Sequence, residues 1–559
     1  MKYRWNKIRW SVLCAALFLL LPSCEIEEPV PTPDKVDPQE GKRLSIAINL
    51  ASEEEELSTR TVESYSEEWG TNQENEVNRV RLVLYDGSVG LSDSQRKVKY
   101  AFDFRIRSAK SGSADWNTFE QYDVTHKEKD HLYKQGGANS SPTQTHFITF
   151  ARAVKEAPYK LLVLINPTEK GVTSVVSHTL DLYQATMPEV STLADFQMAV
   201  SMDPALLGNK SDCGPAALYT VDTEEHGYFL MTNHQGLIDI PVSRLRDTEQ
   251  AAHEDPVPVY VSRVVAKASV RKAAYLPVEP AGASVSALRW ELDVVNKKTY
   301  WMRHMTWLIG SGGGKSGTME IQGHGGANRK YQYAEDPNFS GWYAGKSQDV
   351  LNEHFFYLRK ESVTPVLTQN VGEPAPAVAD AAYCLENTLD ENQKYPDVIT
   401  RILVRCIYTP PGFTVGSSYF TYNNMIIQRA DMLNYANGSK TIPIIYGNLA
   451  EAIAAAKSIH MDFTNPTASY QSNGISYYQG GVNYYSIPIQ HSGLQAAGYG
   501  EATYGYYGMV RNTHYKVLIE KIKGLGSPTI EEVGSGCIAT SIQINKWKNR
   551  DQSEVIGRK

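Results

Sequence analysis

Apolar and polar residues alternate along most of this chain in short runs, separated by clusters of Gly, Asn, Asp and Pro. Val80–Tyr85, Lys160–Ile165, Val257–Val270, Trp290–Val295, Ile399–Ile407 and Tyr515–Ile522 are such runs. Successive side chains of a strand point to opposite faces, so a period near two predicts strands. Its recurrence between turn-forming clusters predicts an all-β sandwich. The 34 tyrosines fit that fold, since a tyrosine ring packs on a pleated surface while its hydroxyl stays wet. Thr192–Val200 and Leu449–Ser458 have helical composition and are expected over sheet ends or in connections. Arg244–Asp255 is charged and ends in Asp255-Pro256, just before the apolar run that opens at Val257. A domain boundary is expected there, dividing the body into 61–255 and 256–559.

The strictest alternation comes early. Leu44-Ser45-Ile46-Ala47-Ile48-Asn49-Leu50 puts Leu44, Ile46, Ile48 and Leu50 on one face of a strand, which belongs in a core. Burying four such side chains is worth at most roughly 6–12 kcal/mol. What precedes the strand reads as a leader. Lys2, Arg4, Lys7 and Arg9 come first, Ser11–Leu21 is apolar, and Leu21-Pro22-Ser23-Cys24 has the small residue before cysteine that a lipoprotein signal peptidase needs. Eleven apolar residues span about half of the ~20 needed to cross a bilayer. Residues 1–23 are therefore expected to be a signal peptide, and Cys24 the lipidated N-terminus. Cys14 lies inside the apolar segment behind Leu13 and is the wrong candidate. Glu25, Glu27 and Glu28 resemble the surface-export signal of Bacteroidetes lipoproteins, and a Pro-rich tether follows (Pro29, Pro31, Pro33, Pro38). After the strand, Glu53–Glu56 and Leu57-Ser58-Thr59-Arg60-Thr61 form a polar stretch of the kind that is open to proteases. Two readings fit. In one, cleavage between Arg60 and Thr61 removes 24–60 as a propeptide and leaves a groove that wants another strand; in the other, an uncleaved edge strand lies beside a solvated loop.

The 559 residues are 42% hydrophobic and 21% charged, which suits a globular chain of at least two domains. A net charge of −7 with no sustained Lys/Arg block argues against nucleic acid as a partner. Cys213, Cys384, Cys406 and Cys537 follow the leader without CxxC spacing. They read as free buried thiols or, for Cys384 and Cys406, a bridge. Gly310-Ser311-Gly312-Gly313-Gly314-Lys315-Ser316 is not a phosphate loop, because Ile309 stands where the first glycine is required, and a hairpin tip is the better reading. The thirteen histidines include no HExxH, and His304 and His324 fall in different segments, so neither a metal nor another cofactor is expected. Asn338-Phe339-Ser340 is a sequon read as an ordinary loop. Tyr470–Tyr507, rich in tyrosine and glycine, suits either long β-loops or an adaptable binding surface.

Several ordered segments resemble the fimbrillins of Bacteroidales, the type V pilins, and especially the longer class that forms short fimbriae. They are Glu76-Val77-Asn78-Arg79-Val80-Arg81-Leu82-Val83-Leu84-Tyr85, Tyr159-Lys160-Leu161-Leu162-Val163-Leu164-Ile165-Asn166-Pro167 and Phe229-Leu230-Met231-Thr232-Asn233 in the first half. The second half adds Ser262-Arg263-Val264-Val265-Ala266-Lys267-Ala268, Tyr383-Cys384-Leu385-Glu386-Asn387-Thr388, Gly508-Met509-Val510-Arg511-Asn512-Thr513-His514-Tyr515-Lys516-Val517 and Gly524-Leu525-Gly526-Ser527-Pro528. The resemblance implies an all-β chain of two transthyretin-like β-sandwich domains with a few short helices. It implies export as a lipidated precursor, cleavage by an arginine-specific surface protease, and polymerisation in which a neighbour's C-terminal strand replaces the first strand. Leu44–Leu50 would be the displaced strand and Arg60 the cut. The implied partners are other copies of the chain, accessory fimbrial subunits, and host or bacterial surface ligands, with the membrane touched only through the precursor lipid.

The C-terminus departs from that pattern, since Lys548–Lys559 is polar apart from Val555 and Ile556 and makes a poor donor. The strand before it sets Ile538, Thr540, Ile542 and Ile544 on one face, and either completes its own domain or donates to the next subunit. Arg511 and His514 invite a catalytic reading, but a structural role beside the terminal strands suits them better. The functional expectation is a non-enzymatic fimbrial subunit. The alternatives are an accessory, anchor or tip subunit, or a monomeric surface lipoprotein that binds glycan or protein.

Overall fold

A computed structural model describes residues 41–49, 66–69, 79–108, 119–123, 128–131, 146–148, 151–166, 172–174, 199–202, 219–221, 227–234, 236–300, 303–309, 330–339, 343, 345–358, 367, 369–373, 381–389, 396–459, 462–463, 465–491, 507–530 and 537–548. The fold is all-β, a sandwich architecture with a few short helices.

In the first half the strands used below are β1 (Lys42–Leu44), β2 (Ile46–Asn49), β3 (Ser66–Trp69), β4 (Arg79–Asp86), β5 (Val98–Ser108), β6 (His146–Ile148), β7 (Arg152–Val154), β8 (Tyr159–Ile165), β9 (Met231–Asn233) and β10 (Val257–Arg263). One sheet runs β5-β4-β8-β9-β10-β2-β6, extended beyond β5 by Phe119–Asp123 and Glu128–His131. β4 and β8 are near-continuous aliphatic strands, antiparallel over seven register pairs from Tyr159↔Asp86 to Ile165↔Val80. They supply Val80, Leu82, Val83, Leu84, Leu161, Leu162, Val163, Leu164 and Ile165 to a single core that β1, β2, β9 and β10 also enter. Strands buried on both faces read as continuous hydrophobic runs rather than clean alternations, as these do.

The second half contains β11 (Val265–Lys272), β12 (Ser284–Asp293), β13 (Ala381–Leu385), β14 (Arg401–Thr409), β15 (Val482–Pro488), β16 (Thr513–Ile522) and β17 (Ile538–Lys548). One sheet is ordered β13-β11-β16-β17-β3; the other contains β12-β14-β15, with Gln369–Asn370 beside β12. Ala266, Val270, Cys384, Tyr515, Val517 and Ile519 from the first sheet meet Trp290, Leu292, Ile402, Val404, Cys406, Tyr485 and Ile487 from the second, forming a two-layer core. Between the adjacent strands β14 and β15 the chain makes an insertion with a core of its own, built on Phe420, Ile427, Met432, Leu449, Ile453, Ile475 and Tyr477. The helix Leu449–Ser458 belongs to this insertion and buries Leu449, Ile453 and Ala456, the spacing that sets one face of a helix.

The run Val257–Val270 is two strands, not one. Val264 lies between them, fully buried, and donates its amide to Leu230 O at 3.0 Å. Val264 and Val265 still belong to the first core and Ala266 to the second, so β10 packs with the first half. The division expected at Asp255–Pro256 precedes β10, whose Val257, Val259 and Val261 enter the first core. Thr192–Val200, expected to be helical, lies outside the described residues except for Ala199 and Val200, which open the strand Ala199–Met202. Gly310–Ser316 and His324 also lie outside them, between the paired strands His304–Ile309 and Lys330–Glu335.

Candidate functional site

β1 and β2 form the early alternating strand; β2 lies inside the first sheet with a neighbour on each edge, and β1 pairs with β7 in a separate two-stranded sheet. β1 runs antiparallel to β7, with Lys42↔Val154 and Leu44↔Arg152 in register. β2 runs parallel to β10 (Ile46↔Val257, Ile48↔Val259) and antiparallel to β6 (Ala47↔Ile148, Ile48↔Phe147). Leu44, Ile46 and Ile48 are 4%, 1% and 0% exposed, and Ser45 and Ala47 between them are buried too, so both faces of the strand are covered. Leu50 lies outside the described residues. The main chain is tied at the N-terminal side: Arg43 N donates to Arg246 O and Arg246 N donates back to Arg43 O, at 2.6 and 2.9 Å, while Val257 N donates to Ser45 O at 2.9 Å. At the surface end Lys42 Nζ donates to Asp247 Oδ1 at 2.6 Å. That hydrogen bond holds the Lys42 ammonium above its usual pKa and the Asp247 carboxyl below its own. Both groups are solvent-facing, so the pair adds little beyond register.

Burying Leu44, Ile46 and Ile48 contributes roughly 5–9 kcal/mol at about 1.5–3 kcal/mol per side chain. Withdrawing β1 and β2 would expose the β10 edge, the β6 edge and the apolar floor made by Val154, Leu245, Val257 and Val259. A gap of that kind accepts an extended segment through backbone hydrogen bonds and alternating side-chain pockets. Cys24, Arg60 and Thr61 lie outside the described residues.

The terminal strand is engaged in its own sheet. β17 pairs antiparallel with β16 from Ile522↔Ile538 to Thr513↔Lys546, with an irregularity between Ile519 and Lys521. Ile538 is buried and Ile542 half-buried against the second core; Thr540 is half-buried opposite Ile519, and the Ile544 position stands opposite Tyr515. In this structure the strand is paired within its own sheet. Its far edge is covered in parallel by β3, from Ser66↔Asn545 to Trp69↔Lys548. Four residues with two glutamates carry no apolar period, so no sequence signal marks β3 as a strand.

A joint of buried charges between the two cores also escapes sequence reading. The Glu386 carboxylate accepts from Arg511 Nε at 3.0 Å and Arg511 N at 3.2 Å, and Arg303 Nη2 lies 3.7 Å from it, with every side chain about 1% exposed. His234, which directly follows β9, faces Arg303 at 3.5 Å; burial and then the Arg303 and Arg511 charges push its pKa down to about 3, so the ring is neutral. Arg263 Nη1 donates to Asn512 Oδ1 at 3.0 Å, and Asn512 N donates to Val265 O at 2.7 Å. His514 meets Ser269 Oγ at 2.8 Å inside the sheet. Arg511 and His514 therefore hold strands together. Asn233 is fully buried and bridges a missing ladder position, accepting from Val163 N and donating to Leu161 O at 2.7 and 2.8 Å.

Cys384, Cys406 and Cys537 are free, and burial pushes the Cys406 thiol up to about 12, far from the thiolate form. Tyr477, Tyr478, Tyr484 and Tyr485 are buried, so these members of the tyrosine-rich stretch are core residues rather than a contact surface. Among the described residues no helix is long and apolar enough to cross a membrane.

Residues 476–553 match the family model for the major fimbrial subunit protein type IV, fimbrillin, C-terminal. No curated protein matches the chain. Among solved structures, a fimbrilin (FimA) from Porphyromonas gingivalis W83 is 12% identical with a TM-score of 0.34, covering 91% of this chain and 98% of its own. The tip fimbrial protein Mfa3 from Porphyromonas gingivalis is 10% identical with a TM-score of 0.31, covering 90% and 100%. A fimbrial assembly protein from Parabacteroides distasonis is 10% identical with a TM-score of 0.23, covering 66% and 81%. At such identities the roles of individual residues come from the geometry of this chain.

Proposed function

We propose that this chain, which carries a fimbrillin C-terminal segment over 476–553, is a structural subunit of a cell-surface fimbria that polymerises by exchanging strands. The observation that carries the reading is the Leu44–Ile48 segment, buried on both faces, its β2 part paired on both edges, and followed after a short polar stretch by Arg60. In this reading the precursor is exported, lipidated at Cys24 and held at the outer membrane. An arginine-specific surface protease then cuts after Arg60, Thr61 becomes the first residue, and β1 and β2 leave. The exposed groove takes a C-terminal strand from the next copy. Each ladder bond is worth only about 0.5–1.5 kcal/mol net, so apolar insertion dominates the affinity. The mature chain is then two sandwich domains joined at Val264, and the resulting shaft presents surfaces for adhesion.

A second role within the same class is favoured by one observation. β17, the candidate donor, is packed into its own core through Ile538 and Ile542, and a subunit that keeps this strand accepts but does not donate. Such a subunit would sit at a tip. The intact mass of subunits recovered from surface filaments, beside an Arg60→Ala variant, tests the main reading. Thr61 as first residue, with the variant accumulating as lipidated monomer, is expected. A mass retaining acylated Cys24 in filaments overturns it.

A further inference from the structure

The peptide that spans Arg60 is held at both ends by elements that matter for assembly. At one end β2 fills the groove between β10 and β6. At the other end β3 lies along β17, with Ser66↔Asn545, Glu67↔Lys546, Glu68↔Trp547 and Trp69↔Lys548 in register. Only sixteen residues, 50–65, separate these two strands, and Arg60 is one of them. We propose that β3 is a clasp on the donor strand, so that a single cut after Arg60 both vacates the acceptor groove and loosens the guard on the donor. This rests on the strand-exchange reading above, to which it adds the regulation of the donor.

The physical argument has three parts. An unpaired strand edge is a template on which another strand pairs, and native proteins cover such edges. β3 covers the end of β17 nearest the chain terminus, the end from which a donor must peel. The cover is also weak by construction. It is four residues long and parallel, and a parallel pair is slightly less stable per residue than an antiparallel one. One of its register pairs, Glu67↔Lys546, joins residues of opposite charge, while Glu68 stands opposite Trp547. Finally, the uncut tether keeps the clasp at high effective concentration beside its partner, because β2 anchors its far end. After cleavage, β3 begins five residues from a free N-terminus, where chain ends fray.

The test uses the full precursor with Glu67→Lys, which sets like charges in register with Lys546, and a second variant with Ser66–Trp69 replaced by glycine and serine. Amide hydrogen exchange on the uncut monomer is followed by light scattering after cleavage at Arg60. Exchange at Asn545–Lys548 is expected to rise on the order of tenfold in both variants, while Ile538–Ser541 keeps its protection. Cleavage proceeds at the wild-type rate, and the cut variants polymerise several-fold faster. If wild type and variants polymerise equally fast, or the variants more slowly, the clasp is refuted and strand exchange stands. If no cut protein polymerises, strand exchange falls and the clasp with it. Unchanged exchange at Asn545–Lys548 in both variants refutes the clasp independently of polymerisation.

Discussion

Ile48→Ala separates a strand that belongs to the finished subunit from one that belongs only to its precursor. Ile48 is fully buried, flanked in register by Val259 on one side and Phe147 on the other, and it packs into the same core as β4 and β8. Truncating a buried isoleucine to alanine costs about 2–5 kcal/mol, the transfer free energy of the lost carbons plus the cavity left behind. Set against the ~5–15 kcal/mol that stabilises a typical domain, this is a large share. The uncut precursor should show it in urea unfolding as an earlier transition of the first sandwich, with the second sandwich unmoved. Filaments assembled after cleavage should show no difference between Ile48→Ala and wild type, because the proposed cut sheds the residue. A precursor unaffected by the substitution would refute the buried strand. Filaments weakened as much as the precursor would refute its removal.

Other substitutions probe the frame that holds the groove. Glu386→Ala leaves the buried Arg303 and Arg511 facing each other without their carboxylate, and should destabilise the chain by about 3–5 kcal/mol in thermal unfolding. His491 Nδ1 shares a hydrogen bond with the Tyr515 hydroxyl at 2.6 Å, and burial pushes its pKa down to about 4. The unfolded chain binds that proton nearer pH 6.5, so the stability is present above about 6.5 and roughly 3 kcal/mol of it is lost on acidification toward pH 4. His491→Gln should flatten that part of the pH–stability curve. Gly526→Ala would set a methyl 2.3 Å from Tyr484 O and push apart the paired Ser527–Tyr484 backbone bonds, costing about 1–3 kcal/mol in a melting experiment.

Most strands were legible because their periods are local. Val80–Tyr85, Lys160–Ile165 and Tyr515–Ile522 carry enough β-branched and aromatic residues to declare themselves, and the helix Leu449–Ser458 declares itself through alanine and a spaced apolar stripe. Leu44–Ile48 stood out through its alternating aliphatics, and the burial of Leu44, Ile46 and Ile48 follows from that pattern, whereas the burial of Ser45 and Ala47 on the other face does not. The remaining features are set by long-range contacts. β3 exists only because β17 offers it an edge, 479 residues away between Ser66 and Asn545. The Glu386–Arg511 pair closes over 125 residues, and neither residue announces in sequence that it will be buried. The split at Val264 was hidden because both sides of the junction are equally apolar.

A structure of the assembled filament tests the central claim most directly, through the identity of the strand between β10 and β6. The account predicts a strand there continuous with the C-terminus of the neighbouring subunit, with Thr61 as the first residue of each chain. Finding that position filled by the subunit's own Leu44–Asn49, still joined through Arg60 to β3, would contradict it.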